Sequence, residues 1–200
     1  MDDIFEKIFS IIDIDKINSK KEFDDFIFYL TNQPTPLREA VSNKLEDIYQ
    51  DEYIDENNIK IISDAIVDIN PNISRNICSI INKSKHLQQM ILPVLIEKIN
   101  FLLGKISDNV KSQNNKSHAK NKILFSLYWL LEGMSYCVDS KYEAEILKIL
   151  HSTIKFKDYT IREKTALILS KINVSDNELI ERVKNDSNFY VNFYTKLLKK

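Results

Sequence analysis

The sequence predicts an all-α chain, an α-α superhelix of about five antiparallel helix pairs spanning residues 1–200 as a single domain. Three observations lead there. Structure-punctuating residues are scarce, with 2 Gly and 4 Pro in 200 residues. That is too few for the Gly-rich loops of an α/β nucleotide-binding fold or the turns of a β-sandwich. Apolar residues recur at every fourth position after polar, cap-forming turns, as they do on a buried helix face. That combination also returns several times along the chain. A content of 44% hydrophobic and 28% charged residues suits a globular, water-soluble chain of this length.

The elements follow in order. Ile4, Phe5, Ile8, Phe9 and Ile12 form an apolar stripe, predicting a first helix over Asp2–Asp13. Ser19 with Glu22 makes a capping box ahead of the second helix. Thr35 is the expected N-cap of a third helix to about Tyr49, with Pro36 at its first position, where a missing N–H costs nothing. A fourth helix starts at Asp55 or Asn57 and ends near Asn70, and Asn70-Pro71 repeats the cap-then-Pro arrangement for a fifth, to about Lys83. A long helix over Lys85–Ile106 contains Pro93, which should kink it. The least apolar stretch follows, read as a polar loop insertion near 107–118, and then a helix over about Ala119–Val138. Ser140 with Glu143, Thr160 with Glu163, Ser175 with Glu178, and finally Ser187 are the expected starts of the last four helices.

The stripes align. Leu37, Val41, Leu45; Ile73, Ile77, Ile81; Ile123, Leu127, Leu131; Ile161, Thr165, Leu169; and Phe189, Phe193, Leu197 each mark one expected core face. Successive units begin 36, 50, 38 and 28 residues apart, a range that helix-pair arrays occupy. One helix pair cannot bury its apolar face alone, and stacking neighbours buries it as a continuous core.

Residues 34–45 and 158–169 resemble the second helices of HEAT repeats. That family places Asp or Pro in the turn, then an apolar residue, an Arg, and a small residue near the next turn. Asp158, Ile161, Arg162 and Ala166 match it, and Pro34, Leu37, Arg38 and Ser42 match more loosely. The unit at 71–83 departs, with Arg75 two places after Ile73, and the units at 123 and 189 lack the Arg. The resemblance implies that Arg38 and Arg162 are struts, pairing with turn acids or carbonyls.

Chemistry-bearing patterns are sparse. His86, His118 and His151 are scattered, and Cys78 and Cys137 have no neighbour at ligand spacing, so no metal and no cofactor is expected. No phosphate loop, dinucleotide fingerprint or nucleophile elbow is present in the sequence. The acidic runs at 23–26 and 51–57 read as solvated turns. Asp2, Asp3 and Glu6 stand where a secretory signal would be positive, and a cytoplasmic, monomeric protein that does not enter a membrane is expected. Charge is divided: residues 1–70 hold 17 acids and 7 bases, residues 71–200 hold 12 acids and 21 bases.

One feature departs from the pattern. In most second helices the face opposite the core is polar, as with Glu39 and Asn43, or Lys164. In the helix near 119–138 the equivalent positions carry Phe125 and Trp129, followed by Glu132 and Tyr136. These seven residues are the candidate partner-binding set. The expected function is a non-enzymatic module that binds another protein on its concave face, in an inhibitor or immunity-type role. The competing expectation, implied by HEAT-like DNA repair proteins, is a nucleic-acid-binding, alkylpurine glycosylase-like protein using the basic residues of 71–200.

Overall fold

The computed structural model describes residues 2–111, 117–172 and 176–198, with side chains for 4–106, 121–172 and 176–198. The described residues form eleven α-helices and three short 3-10 turns, with no strand. The helices are α1 (Asp2–Ile12), α2 (Lys20–Phe28), α3 (Thr35–Ile48), α4 (Glu56–Ala65), α5 (Pro71–Lys83), α6 (Lys85–Lys111), α7 (Ser117–Tyr136), α8 (Glu143–Thr153), α9 (Tyr159–Lys171), α10 (Asn177–Lys184) and α11 (Phe189–Phe193). A 3-10 turn, Tyr194–Leu197, prolongs α11. The all-α expectation holds.

Helix starts are set by Asx side chains more often than by hydroxyls. Asp55 caps α4 in a reciprocal capping box with Asn58. Asn70, Asp158 and Asn188 each accept a hydrogen bond from the backbone N–H of the second residue of their helix, and Asp176 from that of the third. Thr160 is therefore not the cap of α9; its N–H and hydroxyl both donate to Asp158. Thr35 is likewise the first residue of α3, with Pro34 ahead of it and no side-chain cap. Asp139, not Ser140, caps the turn before α8. A carboxylate carries a full charge to the helix N-terminus, where a hydroxyl carries none. Ser19 does cap α2 as expected, while Glu22 reaches back to the N–H of Asn18.

Part of the polar stretch near 107–118 is helical. Helix α6 runs to Lys111 and α7 begins at Ser117, while residues 112–116 lie outside the described ones. The stretch is polar but free of Gly and Pro, and Ser, Asn and Asp cost a growing helix only a few tenths of a kcal/mol each. Pro93 does not end α6, which continues on both sides of it.

Packing divides the chain into two compact units, residues 1–91 and 92–200, and the division falls inside α6. In the first unit α1, α3 and α5 lie side by side, with α2 and α4 packed together and against α3 and α5. Leu37, Val41, Leu45, Ile73, Ile77 and Ile81 form its fully buried seam. Each contributes roughly 1.5–3 kcal/mol on burial. In the second unit α7, α9 and α11 lie side by side, with α8 and α10 packed against them. Leu127, Leu131, Ile161, Thr165 and Leu169 are buried there.

Two expected core faces are not core. On α1, among the described side chains, Phe5, Phe9 and Ile12 are exposed, Ile4 and Ile8 are half-buried and Ile11 is buried. On α11 and its 3-10 turn, Phe189, Phe193 and Leu197 are exposed and Val191 is buried. Among the described residues, each of these helices packs against one neighbour in its layer, α3 and α9 respectively.

A candidate interaction surface on α7 and α9

Helices α7 and α9 run in the same direction, and their facing side chains form rungs. Tyr128 and Tyr136 lie on α7, and Lys164 and Lys171 on α9. The ammonium of Lys164 sits 4.8 Å from the centroid of the Tyr128 ring, and that of Lys171 sits 4.8 Å from the Tyr136 ring. Spacings of eight and seven residues place these two cation-aromatic contacts two helical turns apart, about 11–12 Å.

Between the rungs stands Glu132. Its Oε2 lies 2.7 Å from Lys164 Nζ, and its Oε1 accepts a 2.7 Å hydrogen bond from the Tyr136 hydroxyl. The Lys164 residue is only 8% exposed. Burial pulls its pKa down, but the hydrogen bond and charge of Glu132 outweigh that and leave it above the usual lysine value. Lys171 goes the other way: burial of its ammonium lowers its pKa, and Glu132 only partly restores it. Its Nζ donates to the Ser135 carbonyl at 2.7 Å. Lys164 thus holds the ion pair with Glu132, and the Lys171 ammonium rests on a backbone carbonyl.

Aromatic rings flank the pair. Trp129 meets Phe125 edge-on at 6.3 Å and Tyr128 at 5.2 Å. All three rings are half-buried. The Tyr194 hydroxyl, from the turn after α11, joins the same environment; burial raises its pKa, with the charge of Glu163 adding to it. A shallow cleft of about 260 Å³ opens at one end, lined by Asn121, Leu124, Phe125, Tyr128, Asp158 and Thr160.

Five of the seven sequence-derived candidates therefore come together: Phe125, Trp129, Glu132, Tyr136 and Lys164. Glu39 and Asn43 do not join them. They belong to the first unit, where Glu39 accepts from the side-chain amides of Asn70 and Asn72 at 2.8 Å each, and Asn43 accepts from Asn76. With the Glu46–Lys83 ion pair these make three polar rungs between α3 and α5. Polar side chains read as a free face are the stitching between adjacent helices. Tyr128, Ser135, Lys171 and Tyr194 were missed as members of the α7–α9 group. The i, i+4 spacing of Tyr128, Glu132 and Tyr136 was the available signal.

Among the described residues, no group of three or more His, Cys, Asp or Glu side chains stands close enough to hold a metal ion. No helix of the described residues is long and apolar enough to cross a membrane.

No protein-family model matches the chain, and no curated protein matches it. A solved structure does resemble it: the crystal structure of an engineered protein, 9% identical, with a TM-score of 0.52, covering 99% of this chain and 95% of that one. At that identity the likeness is one of fold alone.

Proposed function

We propose that the chain is a short HEAT-like array of stacked helix pairs that binds another protein without catalysis, in an inhibitor or immunity-type role, and that the α7–α9 surface is where the partner docks. The observation that carries this reading is the Glu132–Lys164 ion pair set among aromatic rings. Rings held by a buried ion pair and by each other lose little freedom on binding, which is the property of interface anchors. Phe125 and Tyr128 border the open cleft, so they are the anchors, and Trp129 backs them from inside. Asn121 and Thr160 offer polar atoms at the cleft rim. The partner element that fits is an apolar or aromatic side chain flanked by backbone amides.

The array itself is supported by the side-by-side α1–α3–α5 and α7–α9–α11 arrangements. It is also supported by rungs joining residues 32–37 apart, such as Glu132–Lys164, Asn43–Asn76 and Glu46–Lys83. The nucleic-acid alternative has less support here. The Lys164 charge is spent on Glu132 and the Lys171 ammonium on a carbonyl, so neither is a free phosphate contact.

The experiment is a pull-down from native cytosol with the wild type and with a Phe125→Ala/Tyr128→Ala double variant. One stoichiometric protein that the wild type retains and the variant loses supports the proposal. A bound species that is nucleic acid, released by raising salt, would replace it with the alternative.

A further inference from the structure

We infer that a groove between α6 and α8 is a binding site for a small amphipathic anion, an apolar body ending in a carboxylate. Asn100, Leu103, Gly104 and Ile106 of α6 line it, with Lys148 and Ser152 of α8 and Phe156 from the turn that follows. Its volume is about 560 Å³, which lies within the range of small-molecule sites. All of these residues belong to the second unit. Gly104 points to an occupant. It lies inside α6, where glycine weakens a helix relative to alanine. Its backbone conformation does not require glycine, since no glycine among the described residues has a positive φ. Packing does not require it either, because a Cβ there would meet no atom within 4 Å. What the missing side chain does is leave bare backbone in the groove, where a bound molecule can approach closely.

The lining gives the chemistry of the occupant. Leu103, Ile106 and Phe156 are half-buried and supply the apolar wall. Phe156 is held in place by its backbone: its N–H donates to the Thr153 carbonyl at 3.2 Å, and its carbonyl accepts from Arg162 Nη1 at 2.8 Å. The polar atoms come from Asn100, Lys148 and Ser152, all exposed. Ser152 donates its hydroxyl to the Lys148 carbonyl at 3.1 Å. Among the described residues, the Lys148 ammonium has no ion-pair partner and the Asn100 side-chain amide no hydrogen bond. Lys148 is the one charged residue of the lining. Glu97, Lys105, Glu145 and Lys155 are near it in sequence, two of each sign, and none of them lines the groove. A free ammonium and a free amide beside an apolar wall complement a carboxylate with an apolar body, and a charge-assisted hydrogen bond to Lys148 would fix its orientation. The site stands or falls independently of the α7–α9 surface.

The test is calorimetric titration of the full chain with decanoate, and with decylamine as its cationic counterpart. The variants are Lys148→Met, which keeps an unbranched side chain without the charge, and Gly104→Leu, which fills the groove. Both positions are exposed, leucine favours a helix more than glycine does, and circular dichroism checks that each variant is folded. The wild type should take up one decanoate per chain, saturating below about 1 mM. Lys148→Met should weaken that binding by about tenfold or more, and Gly104→Leu should abolish it. Decylamine should bind the wild type at least about tenfold more weakly than decanoate. A wild type that takes up no decanoate at about 1 mM overturns the inference. So does binding of equal strength by either variant, which would place the decanoate on other exposed apolar side chains, or equal binding of decylamine.

Discussion

Arg162 and Asp186 form a two-pronged ion pair. Arg162 Nε donates to Oδ2 at 2.6 Å and Nη2 to Oδ1 at 3.0 Å, while Nη1 donates to the carbonyls of Phe156 and Lys157 at 2.8 Å each. Arg38 and Asp68 repeat it in the first unit, at 2.7 and 3.0 Å, with Nη1 on the Gln33 carbonyl. Both aspartates also accept from the backbone N–H of an Asn two residues on, and that Asn caps the next helix. One side chain thereby ties the turn before its own helix to the turn before the helix beside it in the layer, α3 to α5 and α9 to α11. Replacing Arg162 with Ala should lower unfolding free energy by about 2–3 kcal/mol. Arg162→Lys should recover less than half of that, because an ammonium cannot make the planar fork. Urea unfolding of the three proteins measures it, and a fully rescuing lysine would reject the strut.

The Glu132–Lys164 pair is shielded enough that losing one partner strands the other. Glu132→Leu and Lys164→Met should each cost about 3 kcal/mol, and the double variant should return to within about 1 kcal/mol of the wild type. Additive losses in this double-mutant cycle would mean that the two groups are not coupled.

Acid should loosen the fold through named carboxylates. Asp55 is held below the usual range by the Asn58 backbone N–H and then Lys20. For Asp176 and Asp186, burial pushes the pKa up, but hydrogen bonds and the charges of His151 and Arg162 more than reverse it. Since each pKa is lower folded than unfolded, the unfolded chain binds protons first as pH falls. The stabilisation is thus complete above about pH 5 and is lost below about pH 4. Denaturant midpoints at pH 6 and pH 3 should differ, and by less in Arg162→Ala, which removes the Asp186 contribution. An equal difference in both proteins would count against this assignment.

Trp129 is the single tryptophan and reports on the surface directly. Half-buried between Phe125 and Tyr128, it should emit at a wavelength between those of dry and solvated indole and be quenched by iodide several-fold less than free tryptophan. Quenching as strong as that of the free amino acid would place the ring in water and contradict the packing described.

The class of fold was legible because periodicity and caps are local signals. Leu37, Val41 and Leu45, or Ile161, Thr165 and Leu169, are buried as their spacing predicts. The strut role of Arg38 and Arg162 was legible through the HEAT resemblance. Their partners were not read, although Asp68-x-Asn70 and Asp186-x-Asn188 are the same short pattern. What periodicity cannot reveal is whether a neighbour exists to cover a stripe. Phe5 and Phe189 have the spacing of core residues and lie in solvent. The second illegible feature was which polar residues face across to the adjacent helix. Glu39, Asn43 and Lys164 looked alike in sequence; the first two stitch α3 to α5, and the third is buried beside Tyr128.

The most direct test of the proposed function is the comparison of retained proteins between the wild type and Phe125→Ala/Tyr128→Ala, with Glu39→Gln as a control outside the surface. The account predicts one stoichiometric protein on the wild type and on Glu39→Gln, reduced at least tenfold on the double variant while circular dichroism shows that variant still folded. Equal retention by all three proteins, or loss on Glu39→Gln alone, would contradict the assignment of partner binding to α7 and α9.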